Sequence, residues 1–311
     1  MNILVTGGAG YIGAVLVPIL IECGDRVTVI DNFMHGVNSL ASCCEDDRFD
    51  VVRGDVRDMR VMKPLVAKAD LVIPLAAIVG APACDADATA AYTTNQLAIV
   101  NMCNELLSPD QLVIIPTTNS GYGIGQEGIE CTEDTPLNPI SLYGRTKVEA
   151  ERAVLQRENS VSLRLATAFG ASPRMRMDLL VNDFVHRAVN DRAVVVFEGH
   201  FCRNYLHVRD IAGAFIHAIE YFNTMRGKPY NAGLSSANLT KIELCQAIQK
   251  HIPRFTYLES EIGSDPDKRN YRVSNARLEK TGYNTCYTID DGITELCKLF
   301  RMIRNARYGN A

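Results

Sequence analysis

Tyr143 and Lys147 stand four residues apart in the segment YGRTK. Four residues is just over one helical turn, so a helix over 142–157 places both side chains on one face. A phenol is too weak a base near neutral pH. An ammonium beside it stabilises the phenolate, lowers its pKa and makes it a proton acceptor for an alcohol being oxidised. Upstream, the strand-like run at 111–115 leads into PTTNSGYG at 116–123, whose hydroxyls are suited to hydrogen-bond the reacting oxygen. Alone, YxxxK is a common surface pattern and PTTNSGYG reads equally well as a polar turn. Their weight comes from the elements around them.

Those elements begin at once. The strand over 2–6 ends in TGGAGYIG at 6–13, which satisfies GxGxxG through Gly8, Gly10 and Gly13, and GxxGxxG through Gly7, Gly10 and Gly13. Such glycines permit a tight turn, let the backbone approach a pyrophosphate and pack the next helix on the strand, with helix N-terminal amides favouring the anion. Asp31 closes the second strand 18 residues beyond Gly13, placed for a ribose hydroxyl. Its carboxylate repels a 2′-phosphate, and no Lys or Arg occurs between 32 and 47, so NAD is expected rather than NADP. The third strand ends in GDVRD at 54–58, where Asp55 and Val56 would flank the adenine; a helix N-cap explains Asp55 equally well. No Gly-Lys-Ser/Thr follows the turn, which excludes a nucleoside-triphosphatase loop.

Runs rich in Val, Ile and Leu alternate with helix-period segments through NILVT, RVTVI, DVVRG, ADLVIPL, QLVIIP and SVSLRL, with helices near 11–22, 58–67, 93–107 and 142–157. This alternation predicts an α/β fold, a Rossmann-type doubly wound parallel sheet of about seven strands that binds ligands outside the strands' carboxyl ends. Prolines at 173, 229, 253 and 266 interrupt the later pattern. The expected division is a NAD-binding domain over 1–167, with VVVFE and the helix at 208–224 returning to its sheet near 194–224, and a smaller α/β substrate lobe over 168–193 and 225–311.

Composition narrows the partners. With 32 Lys plus Arg against 36 Asp plus Glu, the net charge of −4 and the lack of a basic run argue against nucleic acid or an anionic membrane surface as a partner. The ten cysteines are scattered without a CxxC pair and the six histidines show no metal spacing, so no metal site is expected and most thiols read as small buried hydrophobes. The longest apolar stretch, at 71–84, is too short for a span and holds two prolines. With no leader-like segment at the start, the cytoplasm is the expected location.

Together TGGAGYIG, Asp31-Asn32, GDVRD, LAA at 75–77, Asn95, PTTNSGYG, YGRTK and RNYLHVRD at 203–210 resemble the extended short-chain dehydrogenase/reductases, specifically the NAD-dependent nucleotide-sugar epimerases, dehydratases and dehydrogenases. Four residues before Tyr122, the resemblance puts the catalytic hydroxyl on Thr118, implying a triad of Thr118, Tyr143 and Lys147. It implies NAD held by Gly7, Gly10, Tyr11, Ile12, Gly13, Asp31, Asn32, Asp55, Val56, Leu75, Ala76, Ala77, Asn95, Tyr143 and Lys147. The substrate would be a nucleotide-diphosphate sugar near Thr118, Asn119 and Ser120, its diphosphate clamped by Arg174, Arg203 and Arg269.

Departures from the pattern choose among subgroups. The 4,6-dehydratases carry acidic residues where this chain has Asn119 and Ser120, and the 3,5-epimerases a cysteine where it has Ser120. Both activities are therefore disfavoured. The usual histidine before LAA is Pro74. IPLAAIVGAPAC, PTTNSGYGIG, SPRMRMDLLVNDF, NAGLSSANLTK and DPDKRNY look most similar to bacterial dehydrogenases that oxidise C4 of a GDP-linked manno-heptose for surface polysaccharide. A 4-epimerase, which re-reduces the same keto intermediate, is the alternative, and a non-catalytic NAD sensor the more distant rival. The resemblance also implies a homodimer packed through the helices at 93–107 and 142–157.

Overall fold

The computed structural model describes residues 1–126, 128–260 and 269–303. Its centre is a seven-stranded sheet. In chain order the elements that build it are β1 (Asn2–Thr6), α1 (Gly13–Glu22), β2 (Arg26–Asp31), β3 (Phe49–Arg53), α2 (Met59–Val66), β4 (Leu71–Pro74), β5 (Leu112–Thr118), α3 (Leu142–Leu155), β6 (Ser160–Leu165), α4 (Val208–Glu220) and β7 (Lys228–Ala232). The strands lie in the order 7-6-5-4-1-2-3 and all neighbours are parallel. The direction of winding reverses between β1 and β4, which opens a crevice above their carboxyl ends.

Side chains alternate along β1 to build a core on each face of the sheet. Ile3 and Val5 join Leu16 and Leu20 of α1 and Ile211 and Phe215 of α4, whereas Leu4 joins Met62 and Val66 of α2 and Ala150 and Val154 of α3. Burying each of the larger side chains contributes about 2 kcal/mol. Six of the ten cysteines are buried and none forms a disulfide, in keeping with their reading as packing residues. No helix of the described residues is long and apolar enough to cross a membrane.

Two strands trade places relative to the sequence expectation. VVVFE does not join the large sheet: Ala193–Phe197 pairs with Thr256–Ser260 in a two-stranded sheet of the smaller lobe. The seventh strand is KPYNA, β7, which pairs with β6. Pro229 masks it in the sequence because proline cannot donate to a ladder, and β7 accommodates it because it is the sheet's edge. The single helix expected over 93–107 is a succession of short segments with π-type turns at Thr93–Leu97 and Met102–Leu106.

The lobe contains a three-stranded sheet of Thr167–Phe169, Cys202–His207 and Asn238–Thr240. Its helices Leu180–Asn190, Lys241–His251 and Ile289–Met302 pack on one another. Capping boxes, Thr240 with Glu243 and Thr288 with Asp291, start the second and third. Glu295 of the third helix reaches back, accepting from the Ala171 amide at 2.8 Å and lying 2.9 Å from His207 Nε2. Burial alone would raise its pKa; the bonds from His207, Ala171 and Arg209 outweigh burial and hold it at about 2. Pro266 and the first part of DPDKRNY, 265–268, lie outside the described residues.

Candidate active site

β1 ends at Thr6 and the chain turns immediately. A Cβ on Gly7, whose φ is +68°, would stand 2.6 Å from the Ala76 backbone, and one on Gly13 only 2.3 Å from the Gly8 carbonyl oxygen. Only glycine lets this turn close against LAA and lets α1 begin where it does. Thr6 Oγ1 accepts from the Ala76 amide at 3.2 Å, fastening LAA to the same turn. Pro74, opposite Thr6, ends β4 where LAA begins.

The first turn of α1 holds no acidic residue, so its amides and dipole are available to an anion. At the end of β2, Asp31 Oδ2 accepts from the Ala9 amide at 3.0 Å and Oδ1 from the Phe33 amide at 2.8 Å. Each oxygen keeps a lone pair for a ribose hydroxyl. Asp58 caps α2. Asp55 instead grips Arg57 through both oxygens, and these bonds hold its carboxyl below its ordinary value against the effect of burial.

Every cofactor residue expected from the sequence except Asn95 lines one cleft above β1, β2 and β4. Asn95 sits fully buried in the first π-type turn, one layer back. Its Oδ1 accepts from the Ile78 amide at 2.8 Å and its Nδ2 donates to the Ile78 carbonyl at 2.9 Å, so it shapes the cleft wall through Ile78. Tyr11 lines the cleft, but its hydroxyl is spent on the Gly170 carbonyl at 2.7 Å.

The side chains expected to be catalytic come from α3 and the end of β5. Ser141 caps α3 by accepting from the Gly144 amide at 3.1 Å, which fixes the helix start and with it the common face of Tyr143 and Lys147. Thr118 Oγ1 donates to Ser120 Oγ at 2.8 Å and accepts from the Ser120 amide at 3.1 Å. Arg269 Nη1 also donates to Ser120 Oγ. Asn119 is buried, its amide nitrogen and oxygen without a hydrogen-bond partner among the described residues.

One electrostatic expectation is corrected. Burial raises the Tyr143 pKa; the groups that pull against burial are Arg176, Arg269 and a hydrogen bond with Thr118, and Lys147 is not among them. Lys147 is itself pushed down to about 8 by burial, against the attraction of Glu151. The reactive pair, phenolate with ammonium, therefore carries the same proton count as phenol with neutral amine. It follows that kcat/KM should rise with pH at unit slope and level off at about pH 8, where Lys147 loses its proton. In Lys147→Met the bend should move upward toward the Tyr143 value; a pH–rate profile with an unmoved bend would contradict the assignment.

One turn beyond Lys147, Glu151 anchors a buried network. Its carboxylate accepts from Thr117 Oγ1 at 2.8 Å, Ser162 Oγ at 2.6 Å and Arg164 Nη2 at 2.7 Å. Arg164 Nη1 donates to the Tyr122 hydroxyl at 3.1 Å, which donates to Asn231 Oδ1 of β7 at 2.6 Å. The floor of the site is thus tied to the sheet's edge strand.

Of the three arginines expected at one diphosphate, only Arg174 lines the cleft. Arg269 stands by Ser120 and near Tyr143, close to the reacting centre. Arg203 is buried on Cys202–His207 beneath the Tyr271 ring and does not line the cleft. Arg174 lines it on the Asp31 side. Arg176 and His35 also line the cleft and were not foreseen. Arg176 is paired with Asp178. The doubled arginine of SPRMRMD is the only sequence sign of this feature.

A sequence profile described as the NAD dependent epimerase/dehydratase family matches residues 3–233. The chain is 26% identical over 309 residues to the low-salt glycan biosynthesis protein Agl12 of Haloferax volcanii, covering 96% of this chain and 97% of that one. It is 27% identical over 314 residues to UDP-glucuronic acid decarboxylase 1 of Arabidopsis thaliana, covering 97% and 70%. Among solved structures, UDP-glucuronic acid 4-epimerase from Bacillus cereus with UDP-glucuronic acid and NAD superposes with a TM-score of 0.84 at 22% identity, covering 97% and 99%. With dTDP-glucose 4,6-dehydratase from Bacillus anthracis in complex with NAD the TM-score is 0.81 at 21% identity, covering 97% of each chain. The matched span takes in the glycine turn, Asp31 and the Tyr143–Lys147 helix, and the chain belongs to the NAD dependent epimerase/dehydratase family, an enzyme with NAD as its cofactor.

Proposed function

We propose that this enzyme oxidises the C4 hydroxyl of a nucleotide-activated sugar to a ketone, the substrate being GDP-D-glycero-α-D-manno-heptose and the product its 4-keto form for bacterial surface polysaccharide. The observation that carries the reading is that Tyr143 and Lys147 line the NAD cleft, with Thr118 hydrogen-bonded to Tyr143, while the neighbouring side chains, Asn119 and Ser120, are neutral. Elimination of water needs an acid and a base beside the reacting carbon, and neither residue supplies one. Relatives named for UDP-glucuronic acid and dTDP-glucose support a nucleotide sugar as the substrate class. The choice of GDP-manno-heptose rests on the resemblance of IPLAAIVGAPAC, SPRMRMDLLVNDF and NAGLSSANLTK.

In the reaction, Thr118 hydrogen-bonds the sugar oxygen and Tyr143, as phenolate, takes its proton. Lys147 keeps positive charge beside the phenolate as the C4–O bond becomes a carbonyl. NAD bound in the cleft supplies the hydride acceptor at C4. Incubation with GDP-manno-heptose, UDP-glucose and UDP-glucuronic acid, followed by NMR of the products, should show a 4-ketone from the heptose nucleotide. An inverted C4 without ketone would replace this reading by 4-epimerisation, and loss of water or carbon dioxide would replace it by dehydration or decarboxylation.

A further inference from the structure

We propose that Arg174, carried by the lobe loop at 170–178, binds the diphosphate of the NAD cofactor from the side opposite α1, rather than the diphosphate of the sugar nucleotide. The loop is fastened to the phosphate-binding turn itself. The Tyr11 hydroxyl donates to the Gly170 carbonyl and Ser172 Oγ donates to the Tyr11 carbonyl, both at 2.7 Å. Asn182 holds the same segment, accepting from the Gly170 amide at 3.0 Å and donating to the Arg176 carbonyl at 2.8 Å. Arg174 is thus two residues from an atom bonded to the backbone of the glycine turn, a distance its side chain spans.

Three further observations agree. Arg174 is buried yet lines the cleft that holds Gly7, Gly13 and Asp31. Its charge interacts with Arg176 and Asp178 of its own loop, then with Asp31, which marks the adenosine end, and with His35 beside it. Arg176, which acts on Arg174 and His35 as well, and Arg269 are the cations that act on Tyr143 at the other end, and Arg174 is not among them. TGGAGYIG contains no cation, so amides and a helix dipole alone face two phosphate charges from below. A guanidinium from above, whose Nη1 also donates to the Met175 carbonyl at 3.0 Å, supplies charge and N–H donors of the kind phosphate favours.

The inference rests on NAD as cofactor and not on which sugar is oxidised. Arg174→Gln should speed loss of NAD from the purified holoenzyme and weaken ADP-ribose binding to cofactor-freed protein, measured by calorimetry, about tenfold to a hundredfold. Adenosine, which lacks the diphosphate, should bind the variant as it binds wild type, and GDP and UDP should bind within about twofold of wild type. Arg174→Lys, keeping the charge without the fork, should fall between. An ADP-ribose affinity within about twofold of wild type would overturn the assignment, whether or not GDP or UDP weakens. So would a drop in melting temperature of the cofactor-freed variants that accounts for the loss, since the arginine would then serve packing.

Discussion

Replacing Tyr143 by phenylalanine is expected to lower turnover about a thousandfold while leaving NAD affinity within about twofold of wild type. The ring keeps its place on the cleft wall because α3 is fixed by Ser141 and by burial of Val148, Ala150 and Val154. What is lost is the oxygen proposed to receive the substrate proton, an interaction realised only as the bond to that proton breaks. Single-turnover measurement of NADH absorbance separates the chemical step from product release. A variant turning over near the wild-type rate would remove Tyr143 from its role.

The second large effect is on stability. Glu151→Gln removes the charge that two buried hydroxyls and a buried guanidinium share, with the Arg164 and Glu151 side chains only 6% and 3% exposed. Breaking one side of a buried ion pair leaves the other charge without compensation, so unfolding free energy should fall by about 3–5 kcal/mol. Urea denaturation followed by circular dichroism measures this. Replacing Arg164 by methionine in the same protein should recover part of the loss, since two neutral partners leave no stranded charge. A single variant within about 1 kcal/mol of wild type would show that the network is not what holds the floor of the site.

The parts legible in the sequence were those whose position depends on local spacing. The glycines of TGGAGYIG, Asp31 at a strand end and the four-residue step from Tyr143 to Lys147 each depend on a single turn or helix, and each lies where its spacing placed it. Arg176 and His35 reach the cleft from segments 141 residues apart in the chain, and no periodicity announces such a meeting. Asn95 was recognisable by resemblance, but its work through Ile78 depends on the π-type turn that aims it. VVVFE and KPYNA exchanged places because β-propensity measures fit to a half-buried surface and says nothing of which sheet provides it. The direction of the Tyr143 shift was missed for a related reason: the spacing of YGRTK suggests an ammonium beside the phenol, but the depth of burial that raises the pKa is a property of the assembled fold.

The path of the chain around β7 bears on how such enzymes can change specificity. After β6 the chain departs to lay down part of the lobe, comes back through α4 and β7 to complete the sheet, and departs again for the remainder. The lobe is therefore not a cassette that one splice could transplant between relatives. A graft would need two junctions matched to a single sheet edge, and would cut through the Tyr122–Asn231 bond that joins that edge to the catalytic floor. New substrate preferences on this scaffold are expected to arise by point replacement within the lobe, not by recombination of whole lobes.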